Sequence, residues 1–287
     1  MCLDWNPKCI LNGMRRLAFF FLMAATLNAQ IQVLAVASSS DFTPDLPATG
    51  SLASVFVEGL TGISGIVQAS GYPLPYTLAG VSVTVYGNPA PILAVADLGE
   101  SYAQINIQVP VLPVPSDSNW QIQVMQSRQS GAMTPVGNSG RWGVFFADAK
   151  GQGTLQHADY SPVTAANPAK PGEVLVAYAT NLAAYDTVSN APPIGVAASA
   201  DPLPRIDNLV LWTLQAQVNG QAAASQYMGL TPGLAGVFQV NFVVPTSLEP
   251  GTASLRMLDT PACLYFGSIC PYQMTSNPVT FPVGSAN

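Results

Sequence analysis

The sequence has little charge. Asp, Glu, Lys and Arg make up 8% of its 287 residues, against 49% hydrophobic residues. The net charge is −6, and no cluster of Lys or Arg is present to neutralise a phosphate backbone, which argues against nucleic acid as a partner. A single histidine, His157, rules out an H-E-x-x-H zinc motif. There is no G-x-S-x-G nucleophile turn and no phosphate-cradling Gly-rich loop followed by Lys, and no cofactor-binding motif is found. After the N-terminus, no apolar run reaches the ~20 residues of a membrane-spanning helix. Long amphipathic helices are missing too.

Turn formers are abundant instead, with 24 Gly and 25 Pro spread along the chain. Between them lie short runs of alternating polarity. "QINIQVP" (104–110) places Ile105, Ile107 and Val109 on one face and Gln104, Asn106 and Gln108 on the other, the period of a half-buried strand. "QVNFVVP" (239–245) repeats it, with Val240, Phe242 and Val244 inward. Pro110 and Pro245 lack the N–H that a ladder needs, so each ends its strand.

Other landmarks recur in the same order. "GSLASVFVEGL" (50–60) matches "GEVLVAYATNL" (172–182), and "VTVYGNPAP" around Gly87 matches "AQVNGQAAA" around Gly220. The offsets are 122, 133 and 135 residues. Unequal offsets in a fixed order describe a tandem duplication with an insertion in the second copy, between Leu182 and Gly220.

Strands are expected near 52–58, 80–86, 91–96, 103–109, 119–125 and 141–147, then near 173–179, 208–218, 237–244, 253–258 and 278–283. Asn219-Gly220 is a hairpin signal. The expected fold class is all-β, with two tandem immunoglobulin-like β-sandwiches. The expected boundaries are a signal segment at 1–29, a lead-in at 30–49, a first sandwich at 50–150, a connecting hairpin at 151–170 and a second sandwich at 171–287.

The signal reading rests on Arg15 and Arg16, the apolar stretch Leu17–Leu27 and the small exit residue Ala29. Met14 makes a cleaner start, and "AVA" at 35–37 offers a second cleavage site. The alternative is an uncleaved anchor extended to Ala37, though that run contains Asn28, Gln30 and Gln32. The expected location is therefore outside the cytoplasm, secreted or at the cell surface, with the periplasm as a further possibility. Of four cysteines, Cys2 and Cys9 precede the apolar stretch. Cys263 and Cys270 remain, an even pair that in an exported chain points to a disulfide, with free thiols or a metal pair as alternatives.

Segments "NPAKPGEVLVAYATNL" (167–182), "YMGLTPGLAGVFQVNFVVP" (227–245), "LPYTLAGVSVTVYGNPAPI" leading to "QINIQVP", and the closing "SNPVTFPV" (276–283) carry a resemblance across nearly all of the chain after the signal. Together they resemble the uncharacterised secreted C-terminal domain family of Solibacter and other acidobacteria. "SVFVEGL" followed by "VTVYGNPAP" is also similar to the IPT/TIG type of immunoglobulin-like domain. The resemblance implies export and a sandwich fold, and it brings no activity. Asn181 stands where that family tends to have Gly, and the Cys263–Cys270 loop is a further departure.

Candidate chemistry is sparse. His157 lies beside Asp159 and Ser161, but spacing alone does not make a triad. Asp186, Asp201 and Asp207 offer oxygen ligands without the dense alternation of a calcium loop. Tyr72 and Tyr76 flank prolines in a loop. Trp120, Trp142 and Trp212 read as strand core residues. Any partner contact is expected in the second-copy insertion, through Tyr185, Pro192 and Pro193, because the two copies differ there. Two classes follow: a non-enzymatic module that binds a protein or glycan surface or assists assembly, or an extracellular hydrolase or carbohydrate-binding accessory protein.

Overall fold

The computed structural model describes residues 30–112, 121–134, 143–206, 212–261 and 274–285. The first half supplies β1 (Gln32–Ser38), β2 (Leu52–Glu58), β3 (Ile66–Gln68), β4 (Thr77–Leu78) and β5 (Val81–Val85). It continues with β6 (Asn88–Ala90), β7 (Ile92–Gly99), β8 (Tyr102–Gln108), β9 (Ile122–Gln126) and β10 (Gln129–Met133). The second half opens with β11 (Val144–Phe145), β12 (Leu155–His157), β13 (Val174–Thr180), β14 (Val188–Ser189) and β15 (Arg205–Ile206). Then come β16 (Trp212–Val218), β17 (Gln221–Ala223), β18 (Ser225–Leu230) and β19 (Phe238–Val243). The last are β20 (Gly251–Pro261), β21 (Met274–Thr275) and β22 (Val279–Val283).

Each half is a sandwich of two antiparallel sheets. In the first, β1-β2-β8-β7-β3 faces β10-β9-β5-β4, with β6 on β5. In the second, β11-β13-β19-β18-β15-β14, with β12 on β13, faces β17-β16-β20-β21, with β22 on β20. The inward residues form two separate cores, one per sandwich. Ile105, Ile107, Val109, Val240, Phe242 and Val244 are all fully buried at 0% exposure, as strand alternation requires.

The duplication extends to register. Ala53 pairs with Ile107 and Val55 with Ile105; 122 and 135 residues later, Leu175 pairs with Phe242 and Ala177 with Val240. Likewise Val85 faces Ile122 as Val218 faces Leu255. Both strands after the central hairpin signal start from a left-handed pair, Tyr86-Gly87 and Asn219-Gly220. That geometry is the two-residue turn whose twist matches the strands.

Three expected boundaries need correction. Residues 30–49 are not a lead-in: β1 is hydrogen-bonded to β2, and Ile31 and Leu46 sit in the first core. The strand expected near 141–147 does not close the first sandwich. It is β11, paired to β13, with Phe145 in the second core. The Phe145 N–H donates to Asn277 Oδ1 at 2.7 Å, and Asn277 Nδ2 donates back to the Phe145 carbonyl at 3.0 Å, tying β11 to the far end of the second sandwich. Residues 151–170 are not a connector either, since β12 adds to β13 and Leu155, Val163 and Ala169 enter the second core. β11 and β12 are short and lie among turn residues, so their periodicity is too brief to show, while β1 follows directly on the apolar N-terminal run. Pairing to a neighbour, not local pattern, fixes them.

Candidate functional site

The second-copy insertion turns inward. Gly195 lies over the end of β8, where its N–H donates to Gln108 Oε1 at 2.7 Å and its carbonyl accepts from the Leu74 N–H at 2.7 Å. Gln108 is fully buried, and its Nε2 donates to the Gly50 carbonyl at 2.9 Å. One glutamine amide thus joins the start of β2, the end of β8 and the insertion of the other sandwich. Beside it, the Leu52 N–H donates to Thr180 Oγ1 at 2.9 Å, and Thr180 Oγ1 donates to the Gly236 carbonyl at 3.3 Å. Ser51 Oγ donates to Asn181 Oδ1 at 3.4 Å.

Glycines allow this close approach. A Cβ on Gly236 would lie 2.6 Å from Leu52 Cδ2 and 2.9 Å from the Gly50 carbonyl oxygen. A Cβ on Gly50 would enter the Tyr185 ring. Tyr185 is therefore not an outward contact. Its ring packs on Gly50 and its hydroxyl donates to the Pro192 carbonyl at 2.8 Å. Burial pushes its pKa up to about 12, partly offset by a hydrogen bond with the Gln108 side chain. Pro192 is half-buried and Pro193 is exposed. The sequence located the segment that distinguishes the copies but not its target, which is the first sandwich.

A second arrangement occurs twice. On the outer face of β8, Gln104 Nε2 donates to Asn106 Oδ1 at 2.7 Å; on β19, Gln239 Nε2 donates to Asn241 Oδ1 at 3.1 Å. Across the strand from each glutamine stands an aromatic residue, Phe56 beside Gln104 and Tyr178 beside Gln239. All six are half-buried. A turn projects a second ring beside Phe56, and the matching turn of the second copy carries Tyr160. Phe42 is 52% exposed with φ 56°, its ring centroid 6.2 Å from that of Phe56. Tyr160 is 69% exposed with φ 65°. Burial first, and the nearby Tyr160 phenol second, raise the pKa of Tyr178.

The two turns share their chemistry. Thr43 N and Oγ1 donate to the Asp41 carboxylate at 3.0 and 2.7 Å, and Ser161 N and Oγ donate to Asp159 Oδ1 at 2.9 and 2.7 Å. Pro44 bridges Ala37, and Pro162 bridges Gln156. A sequence signal for them exists: "DFTP" (41–44) and "DYSP" (159–162) are echoes 118 residues apart.

The remaining candidates are not assembled into chemistry. His157 Nδ1 pairs with Glu173 Oε2 at 3.1 Å and Nε2 faces the Asn167 carbonyl at 3.2 Å. The Ser161 hydroxyl donates to Asp159, not to the histidine. Among the described residues, no three or more His, Cys, Asp or Glu side chains form a group able to hold a metal. Tyr72 and Tyr76 are both exposed, and the Tyr72 hydroxyl accepts the Ala235 N–H at 3.4 Å. Cys263, Cys270, Asp207, Trp120 and Trp142 lie outside the described residues, as does the side chain of Trp212. No helix among the described residues is long and apolar enough to cross a membrane.

No family model matches the chain, and no curated protein matches it. Among solved structures it is similar to the I9–I11 tandem from titin, at 10% identity and a TM-score of 0.20, covering 89% of this chain and 66% of that one. A chimeric titin Z1Z2 carrying an exogenous peptide from decorin gives 9% identity, TM-score 0.21, and 89% and 98% coverage. The titin tandem A164–A165 gives 6%, TM-score 0.17, and 88% and 97%. Scores this low carry no argument about function. The all-β, immunoglobulin-like tandem stands on the sheets and registers themselves.

Proposed function

We propose that the chain is an exported, non-catalytic module of the extracellular space or cell surface, in which two sandwiches act as one rigid unit that binds or spaces. The observation that carries this reading is the buried Gln108 amide, bonded at once to Gly50 and to Gly195. A fully buried amide with partners on both sandwiches is costly to separate, because each half would lose a partner for a buried polar group. A rigid tandem presents its outer faces at fixed spacing. The ordered charge, apolar stretch and small exit residue at the N-terminus support export. The wiring of His157 to Glu173 and Asn167, with Ser161 held by Asp159, supports a role without a nucleophile–base pair at this cluster.

Secretion of the native gene product followed by intact-mass measurement and small-angle scattering tests the reading. The expected result is a chain beginning after Ala29 whose scattering fits one fixed two-domain arrangement. A mature chain retaining Leu17–Leu27, or scattering that requires freely swinging domains, would overturn it.

A further inference from the structure

We propose that the outer face of each sandwich binds a neutral polysaccharide. This inference rests on the reading of the chain as an exported binding module and names its ligand class and sites.

The first argument is what the two copies keep. Along the central strand, the inward residues differ, Ile105 becoming Val240 and Ile107 becoming Phe242, while the outward Gln104 and Asn106 recur as Gln239 and Asn241. Core packing explains apolar residues inside. It does not call for amides outside, where β-branched residues serve a strand better. The aromatic across from the glutamine and an exposed aromatic in the neighbouring turn also recur, as Phe56 with Phe42 and Tyr178 with Tyr160.

The second argument is cost. Phe42 and Tyr160 place large rings in water, on a left-handed backbone that non-glycine residues seldom adopt. Each turn is fixed by an aspartate bonded to its own Thr or Ser. Folding gains little from an aromatic ring held in solvent, whereas a ligand that stacks on it gains contact area without ordering a flexible side chain.

The third argument is chemistry. Sugar rings present C–H faces to aromatics and hydroxyls to amides. After the Gln-to-Asn bond is made, each pair has a glutamine Oε1 acceptor and an asparagine Nδ2 donor that bond to no other described residue. One acceptor and one donor suit neighbouring hydroxyls, which both give and receive protons. The six face residues are uncharged, and the charges bordering them are of both signs: Glu58, Asp41 and Asp159 are acids, while Arg205 stands in register with Gln239 across Gly229 and lies 5.1 Å over the Tyr227 ring. With uncharged recognition groups and a net charge of −6, the chain favours a neutral polymer over an anionic one. With the two faces in one rigid tandem, a repeating polymer can engage both at once.

Affinity electrophoresis of the secreted full chain tests this, using galactomannan, xyloglucan, mixed-linkage glucan and hydroxyethylcellulose as neutral probes and carboxymethylcellulose as the anionic one. At least one neutral polymer should retard the protein and carboxymethylcellulose should not. Phe42→Ala and Tyr160→Ala should each weaken retention by roughly tenfold or more through lost avidity, and the double variant should abolish it. Gln104→Ala with Gln239→Ala provides a second variant, at half-buried positions on the outer strand faces, away from the turns, should the turn variants fail to fold. Retention by none of the neutral polymers, retention undiminished in both double variants, or equal retention by the anionic polymer would overturn the assignment. Reducing ends released from a retained polymer would instead overturn the non-catalytic reading while leaving the sites in place, so the two failures are distinguishable.

Discussion

Gln108 Oε1 accepts the N–H of Gly195 at 2.7 Å, although the residues belong to different sandwiches and lie 87 positions apart. The residue matching Gln108 in the second copy is Val243, so this amide is particular to the first. Gln108→Ala would leave the Gly195 N–H and the Gly50 carbonyl without a partner at a buried junction. A loss of about 1–3 kcal/mol is expected. Denaturant unfolding measures it, and a scattering profile should broaden as the domains loosen. An unchanged midpoint and profile would show that the amide does not hold the tandem.

Gly50 and Tyr185 are expected to be energetically coupled. Gly50 has φ 82°, and any Cβ there meets the Tyr185 ring. Gly50→Ala should cost about 1–3 kcal/mol through backbone strain, with the ring clash added to it. Tyr185→Ala in the same chain should recover the clash but not the strain. A double-mutant cycle reads the coupling, and strictly additive losses would contradict the contact.

Phe242 is fully buried, with its ring edge-on to Phe281 at a centroid distance of 6.2 Å. Phe242→Ala should destabilise the second sandwich by roughly 3–5 kcal/mol. Because the cores are separate, calorimetry should show one transition moving much further than the other. Equal shifts would mean the halves unfold as one unit.

Alkaline pH should weaken the fold through two tyrosines. Burial pushes Tyr185 and Tyr227 up to about 12. An unfolded tyrosine ionises near ~10. Between these values the folded chain keeps protons that the unfolded chain has lost, so stability is complete below pH ~10 and declines as pH rises through the folded values. Denaturation midpoints measured from neutral to strongly alkaline pH should follow that course. Tyr185→Phe should flatten part of the decline, and an identical slope would remove Tyr185 as a cause.

Much of the fold was legible where a strand is long enough to alternate. Leu52–Glu58, Tyr102–Gln108 and Phe238–Val243 fall where their pattern placed them. The edges were not. β1 follows directly on the apolar N-terminal run, and β12 has three residues, too few for a period. Tyr185 showed as an aromatic in a variable insertion, but its packing on Gly50 is long-range and leaves no local trace. The projecting rings of Phe42 and Tyr160 carried a signal, the paired four-residue echoes. It was hidden because those segments read as polar lead-in and connector, not as matching hairpins.

Matching registers in adjacent domains set a hazard for the growing chain, since β2 emerges with its own partner β8 and later meets β19, aligned in the same way. The unequal drift of the two cores resolves it. Ala53 faces Ile107 in one, and Leu175 faces Phe242 in the other. An exchanged pair would set Ala53 against Phe242 or Leu175 against Ile107, mismatching volumes in interiors packed too densely to absorb the difference. Divergence at these inward positions therefore weighs against an exchanged pairing, since each strand's volumes match the partner made in its own half.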